Sequence, residues 1–109
     1  MKDEFLEHLL NIIKSKKSEN PETSYTAMLQ QSDEIKTLKK IEEEAFEVID
    51  AAKLKNKSNI VHEVADLWFH CLVLLAKKNL SVGDITNELK KRQGISGIEE
   101  KSNRDKKKS

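Results

Sequence analysis

The chain has 109 residues, 37% hydrophobic and 36% charged, with three glycines and one proline. That length suits one domain, and few breakers among many Glu, Lys and Leu favour helix. A net charge of +1 leaves no global field to attract nucleic acid or a membrane, and the single Cys71 excludes an internal disulfide framework.

The start, MKDEFLEHLL, is interrupted by acids and lacks the charged-then-apolar order of a signal peptide, so a cytoplasmic protein is expected. Phe5, Leu6, Leu9, Leu10, Ile12 and Ile13 make a broad apolar face on a first helix over about 3–17. SENPETS (18–24) reads as loop, and Ser24 can cap a short helical piece with Tyr25, Met28 and Leu29 as apolar contacts. Asp33 is the expected N-cap of a second long helix, about 33–55, with Ile35, Leu38, Ile41, Ala45, Val48, Ile49 and Ala52 at steps of three and four. KNKS (55–58) is a polar break, and Ser58 is expected to cap a third long helix ending near Lys78. Ser81 and Asp84 have capping-box spacing for a last helix, about 82–93, with Gly94 as its C-terminal glycine. No period-two pattern and no internal repeat occur. Residues 1–101 are expected to form one all-α domain of four to five helices, with a disordered basic tail at 102–109.

The third long helix is apolar nearly all round: Val61, Val64, Ala65, Leu67, Trp68, Phe69, Cys71, Leu72, Val73, Leu74 and Leu75. Its most apolar part, Val64–Ala76, is too short for a bilayer and contains Asp66 and His70. Such a helix is buried on all sides, and one short chain could hardly enclose it. A second subunit is therefore expected to cover one side, giving a homodimer or higher homo-oligomer. Trp68 and Phe69 are read as core or interface, and Cys71 as a small buried hydrophobe.

Polar residues on this helix are few and aligned. At about 100° per residue, Asn59, Glu63, Asp66 and His70 fall within an arc of roughly 60°. Buried carboxylates are costly unless paired or bound to a metal, and no lysine or arginine shares that stripe until Lys77. The preceding helix offers Glu43, Glu44 and Glu47 beside its apolar face, together with Lys40. Taken alone, those glutamates also suit a solvated face with Lys39–Glu43 and Lys40–Glu44 pairs. Five carboxylates brought together would repel one another, and a divalent cation removes that repulsion. Oxygen-only ligands favour Mg²⁺, with Mn²⁺ as substitute, and Mg²⁺ held this way keeps positions open for substrate phosphates. His70 is read as a hydrogen-bonded core residue rather than a ligand.

Glu43-Glu44-Ala45-Phe46-Glu47, followed by Glu63-Val64-Ala65-Asp66, resembles the EExxE…ExxD form of the MazG-like all-α nucleotide pyrophosphatases. SYTAML (24–29), LKKIEEEAFEVIDAAK (38–53), EVADLWFHCLVLLA (63–76) and LSVGDITNELKKRQGISGIEEK (80–101) resemble, more narrowly, the phosphoribosyl-ATP pyrophosphohydrolases of histidine biosynthesis. Glu42 stands where that family often has Gly, Met28 where Lys is common, and Asp50 where an apolar residue is usual; none of these removes an expected ligand. The resemblance implies Mg²⁺-dependent hydrolysis of phosphoribosyl-ATP to phosphoribosyl-AMP and pyrophosphate. It also implies Glu44, Glu47, Glu63 and Asp66 as metal ligands and Glu43 as the residue that orients or deprotonates water. Lys40, with Lys39 and Lys53 behind it, is expected to hold phosphates. Lys90, Lys91 and Arg92 equally suit a helix C-terminus. Ser24 and Tyr25 suit either substrate contact or a cap and a core aromatic. Two rival functions are a house-cleaning nucleoside triphosphate pyrophosphatase of the same superfamily and a helical interaction module without catalysis. A nucleic-acid role for the basic tail is more distant.

Overall fold

The computed structural model describes residues 4–93; Gly94, the GISGIEEK segment and the basic tail lie outside them. The described residues are helical, without strands: α1 (Glu4–Ser15), a 3₁₀ turn (Lys16–Ser18), α2 (Tyr25–Gln31), α3 (Glu34–Lys53), α4 (Lys57–Lys77) and α5 (Val82–Lys90). The all-α expectation holds. The first helix ends at Ser15, before the expected limit near residue 17, because the chain tightens into a 3₁₀ turn at Lys16.

Local chemistry sets most of the ends. The Ser24 side chain accepts from the Ala27 N–H at 3.1 Å and starts α2. Ser81 and Asp84 form the reciprocal capping box of α5, each side chain accepting from the other residue's backbone N–H. Asp33 occupies the N-cap of α3 but makes no side-chain cap bond. Ser58 is not the cap of α4. Asn56 is, accepting from Asn59 N–H at 3.1 Å, while the Ser58 hydroxyl donates to the same Asn56 oxygen at 3.0 Å. Asparagine caps as well as serine, and its position two residues earlier lets the helix begin at Lys57.

α3 and α4 form an antiparallel hairpin and the largest helix–helix contact in the chain; α1 and α2 also pack on α4. The hairpin turn is short because Lys55 adopts a left-handed conformation (φ 58°) and donates its N–H to Ala52 O at 3.1 Å. A second left-handed residue, Asn79 (φ 57°), ends α4 in a Schellman motif, with Leu80 N–H bonded to Leu75 O at 2.9 Å. The core lies along the C-terminal half of α4, where Leu72 and Val73 meet Leu10 and Ile13 of α1, Leu29 of α2 and Val82 of α5. Three polar ties orient α2. Gln30 Nε2 donates to Val73 O at 3.3 Å, and Lys77 Nζ donates to Ser32 O at 2.7 Å and to Gln30 O at 3.4 Å.

By length and composition α4 could cross a membrane. It is instead the helix on which α1, α2 and α3 pack, and it carries Glu63 and Asp66 in the hairpin groove. Within one chain it is not enclosed. Val61, Ala65, Trp68 and Cys71 lie exposed along one side, Trp68 at 57%, so Cys71 is not the core residue its type suggests. Phe46 and Ile49 of α3 and Leu54 at its C-cap are also exposed.

Lys55 bears a side chain where glycine is unstrained. Lys55→Gly is expected to stabilise the chain by up to about 1 kcal/mol, seen as a higher denaturation midpoint at unchanged slope. Leu29→Ala, which empties a fully buried site, should cost about 2–5 kcal/mol in the same assay.

Candidate metal centre

The hairpin turn fixes the register of the acids. Glu47 and Glu63 each lie eight residues from Lys55, and Glu44 and Asp66 each lie eleven. Counting outward from the turn therefore sets Glu47 level with Glu63 and Glu44 level with Asp66. A spacing of three on each helix keeps both members of a pair on one face. One carboxylate oxygen from each of Glu44, Glu47 and Glu63 falls within 4.8 Å of the others. Asp66 adjoins them: it acts electrostatically on Glu44 and meets Glu63 around His62.

Burial and repulsion govern how these groups hold protons. Glu44 is 7% exposed, and its Oε2 is buried without a hydrogen-bond partner. Loss of water, then the charge of Glu47, raises its proton affinity. Glu63, 9% exposed, is pushed up to about 7, first by its hydrogen bond to Glu47 and then by loss of water. Glu47 lies on the open side and is lowered, because it accepts bonds from Glu63 and from Glu44. Burial and mutual repulsion thus favour a proton shared between Glu63 and Glu47.

A cation could replace those protons. Convergent carboxylate oxygens, one of them buried and unpartnered, form a hard donor set suited to a divalent ion. The neighbouring nitrogen donor is His62, whose Nε2 lies 3.3 Å from Asp66 Oδ2 and 3.7 Å from Glu63 Oε1. The sequence reading missed His62; its i,i+4 spacing to Asp66 was the available signal. The ring is 68% exposed at the groove mouth, so it can swing to solvent.

The other expected residues are distributed around the cluster. Glu43 lies outside it, exposed on the flank of α3, with Lys40 Nζ at 3.4 Å. The solvated-face alternative paired Lys39 with Glu43 and Lys40 with Glu44; Lys40 instead meets Glu43, three residues away. Lys40 is held more firmly protonated by its hydrogen bond to Glu43, with smaller effects of Tyr25 and Glu44. Lys39 and Lys53 are exposed on α3, and no hydrogen bond or ion pair joins them to the acids. Ser24 is committed to capping α2. Tyr25 is half exposed, and its hydroxyl lies 3.0 Å from His70 Nε2. His70 is 5% exposed, hydrogen-bonded and part of the core, as expected.

An all-α chain whose helical hairpin carries EExxE on one arm and ExxD on the other has the make-up of the all-α nucleotide pyrophosphatases. The particular family follows from comparison. The family model for phosphoribosyl-ATP pyrophosphohydrolase matches residues 6–93. A phosphoribosyl-ATP pyrophosphatase of Hydrogenovibrio crunogenus is 52% identical over 110 residues, covering 97% of each chain. Its namesake in Nitrosomonas eutropha is 50% identical over 99 residues, covering 91% of this chain and 85% of the relative. One from Neisseria meningitidis serogroup C is 48% identical over 104 residues, covering 95% and 97%. The chain belongs to the phosphoribosyl-ATP pyrophosphohydrolase family.

The shared proton sets a pH test. Glu63 binds its proton more tightly folded than unfolded. The stabilisation this gives the cation-free protein is present below the ordinary value of 4.5 and is lost as pH rises through about 7. Cation binding must expel the same proton, so affinity should rise with pH until about 7. The increase in melting temperature caused by a fixed, subsaturating Mg²⁺ concentration is therefore expected to be larger at pH 8 than at pH 6. An equal or smaller increase at pH 8 would contradict the shared-proton cluster.

Proposed function

We propose that this chain hydrolyses phosphoribosyl-ATP to phosphoribosyl-AMP and pyrophosphate, as the second step of histidine biosynthesis, at the groove between α3 and α4. Family membership across residues 6–93 supports the reaction. The observation that carries the site is the convergence of Glu44, Glu47 and Glu63 within 4.8 Å, with Asp66 beside them.

Glu44, Glu47, Glu63 and Asp66 would hold Mg²⁺, or Mn²⁺ in its place. When bound, the ion neutralises phosphate oxygens and stabilises the charge developing on the leaving pyrophosphate. The protein's own groups do the rest. Glu44 and Glu63, shielded from water, give the site its rigid inner wall, while Glu47 faces the open side where phosphates enter. Glu43, one residue from this wall but outside the cluster, is accessible to water and serves as the base that orients it and takes its proton. Lys40, Glu43's partner in the free protein, can turn toward phosphate oxygens once they enter, with Lys39 and Lys53 as more distant cations. The net reaction adds the elements of water across one phosphoanhydride bond.

The working unit is a homodimer. The exposed stripe on α4, including Val61 and Trp68, is an apolar surface that the single chain leaves uncovered. Large apolar side chains exposed along one helix favour a protein partner. A second copy with the same stripe closes it by twofold symmetry. The chain's proposed place of action is the cytoplasm.

Glu47→Gln and Asp66→Asn are each expected to cut Mg²⁺-dependent pyrophosphate release from phosphoribosyl-ATP by about 10²-fold or more while the protein stays helical and folded. Full activity in both would refute the ligand assignment. Faster turnover of dUTP or dCTP than of phosphoribosyl-ATP would favour the house-cleaning alternative. In light scattering, the wild type should show twice the chain mass and Trp68→Glu the single-chain mass. A wild-type monomer with full activity would refute the dimer.

A further inference from the structure

We propose that His70 is a positioning residue that fixes the Tyr25 hydroxyl as a hydrogen-bond acceptor, so that Tyr25 receives an O–H or N–H donor from the nucleoside half of the substrate rather than a phosphate oxygen. This rests on the groove acting on nucleotides.

His70 Nδ1 lies 2.8 Å from the backbone oxygen of Asp66. A carbonyl oxygen only accepts, so Nδ1 carries the hydrogen. In the neutral ring, Nε2 is then left with a lone pair, and the group facing it at 3.0 Å is the Tyr25 hydroxyl. The hydroxyl has one proton, and donating it to Nε2 satisfies the buried ring. The ring cannot readily turn. It is 5% exposed, and the Phe69 and Tyr25 rings meet it edge-on at centroid distances of 5.6 and 6.1 Å.

What remains on the Tyr25 oxygen is acceptor capacity alone, on a residue 48% exposed. Phosphate oxygens are acceptors too, so a phosphate placed against this hydroxyl would meet lone pair with lone pair. A sugar hydroxyl or an amino group of the base supplies a donor at neutral charge, beside the Lys40 ammonium whose charge also acts on Tyr25. The placement fits this division. The imidazole that orders Tyr25 is bonded at its other nitrogen to Asp66, whose carboxylate lies at the edge of the acidic cluster. Phosphates drawn to the acids and their cation would leave the attached nucleoside within reach of Tyr25. Because Tyr25 begins α2, the ties from Gln30 and Lys77 that fasten α2 to α4 also fix where this acceptor stands.

The test uses the full chain with saturating Mg²⁺. Tyr25→Phe and His70→Leu are each expected to raise KM for phosphoribosyl-ATP about tenfold, with kcat within about threefold and Mg²⁺ affinity unchanged. The double variant should be no worse than either single one, because both remove the same contact. His70→Gln, whose amide oxygen can accept from Tyr25, should restore most of the loss. In the free wild type, ¹⁵N imidazole resonances should show the hydrogen on Nδ1. A hydrogen on Nε2, an unchanged KM in Tyr25→Phe, or loss of kcat and Mg²⁺ affinity in His70→Leu with Tyr25→Phe unaffected would overturn the proposal. A wild type that releases no pyrophosphate from phosphoribosyl-ATP would instead overturn the function proposed above. The tautomer would still decide the hydrogen-bond assignment.

Discussion

Carboxylates packed between two helices repel one another, and a helix pair left to itself would slide or part to relieve the strain. In this chain the α3–α4 turn prevents that. Lys55 in a left-handed conformation and Asn56 capping α4 set the hairpin register, and the register sets Glu47 opposite Glu63 and Glu44 opposite Asp66. The price of the arrangement is visible in the protons it retains, with Glu63 pushed up to about 7. A helical hairpin holds such a cluster well because its backbone bonds are internal, leaving the side chains in the groove as the groups that adjust.

The rest of the fold keeps this tension away from the hydrophobic core. Along α4, the acids occupy the half near the hairpin turn, and Leu72, Val73 and their partners on α1, α2 and α5 occupy the other. His70 stands at the boundary, bonded toward Asp66 on one side and Tyr25 on the other. One helix therefore carries, in order, the acidic groove, a polar joint and the apolar core. Its outward face, with Trp68, is the part the single chain leaves uncovered.

Much of this was legible in the sequence, for reasons that differ by element. The Ser24 cap and the Ser81–Asp84 box depend on spacings of three residues, which a sequence displays directly. Glu63 and Asp66 stood out because charges are rare on an apolar helix. The family followed from the acidic motif together with SYTAML and the other matching stretches, and the comparisons bear it out. Asn56 and Ser58 both cap well and the break is polar throughout, so the sequence alone does not separate them. Which lysine meets Glu43 could not be read, because spacings of three and four are both neighbours on a helix and rotamers decide between them. Cys71 and Trp68 share the helix's apolar composition, but composition does not say which side faces out. The Tyr25–His70 bond joins residues 45 apart and needs the packing of α2 on α4.

In the proposed site, one hairpin register brings four carboxylates on two helices around a cation. Crystals grown with Mn²⁺ test it most directly, through anomalous scattering at the manganese edge. The account predicts a strong peak between α3 and α4, with oxygens of Glu44, Glu47, Glu63 and Asp66 about 2.0–2.4 Å away, as hard-cation coordination requires. A peak bound only by exposed acids elsewhere, or an empty groove at saturating Mn²⁺, would contradict it.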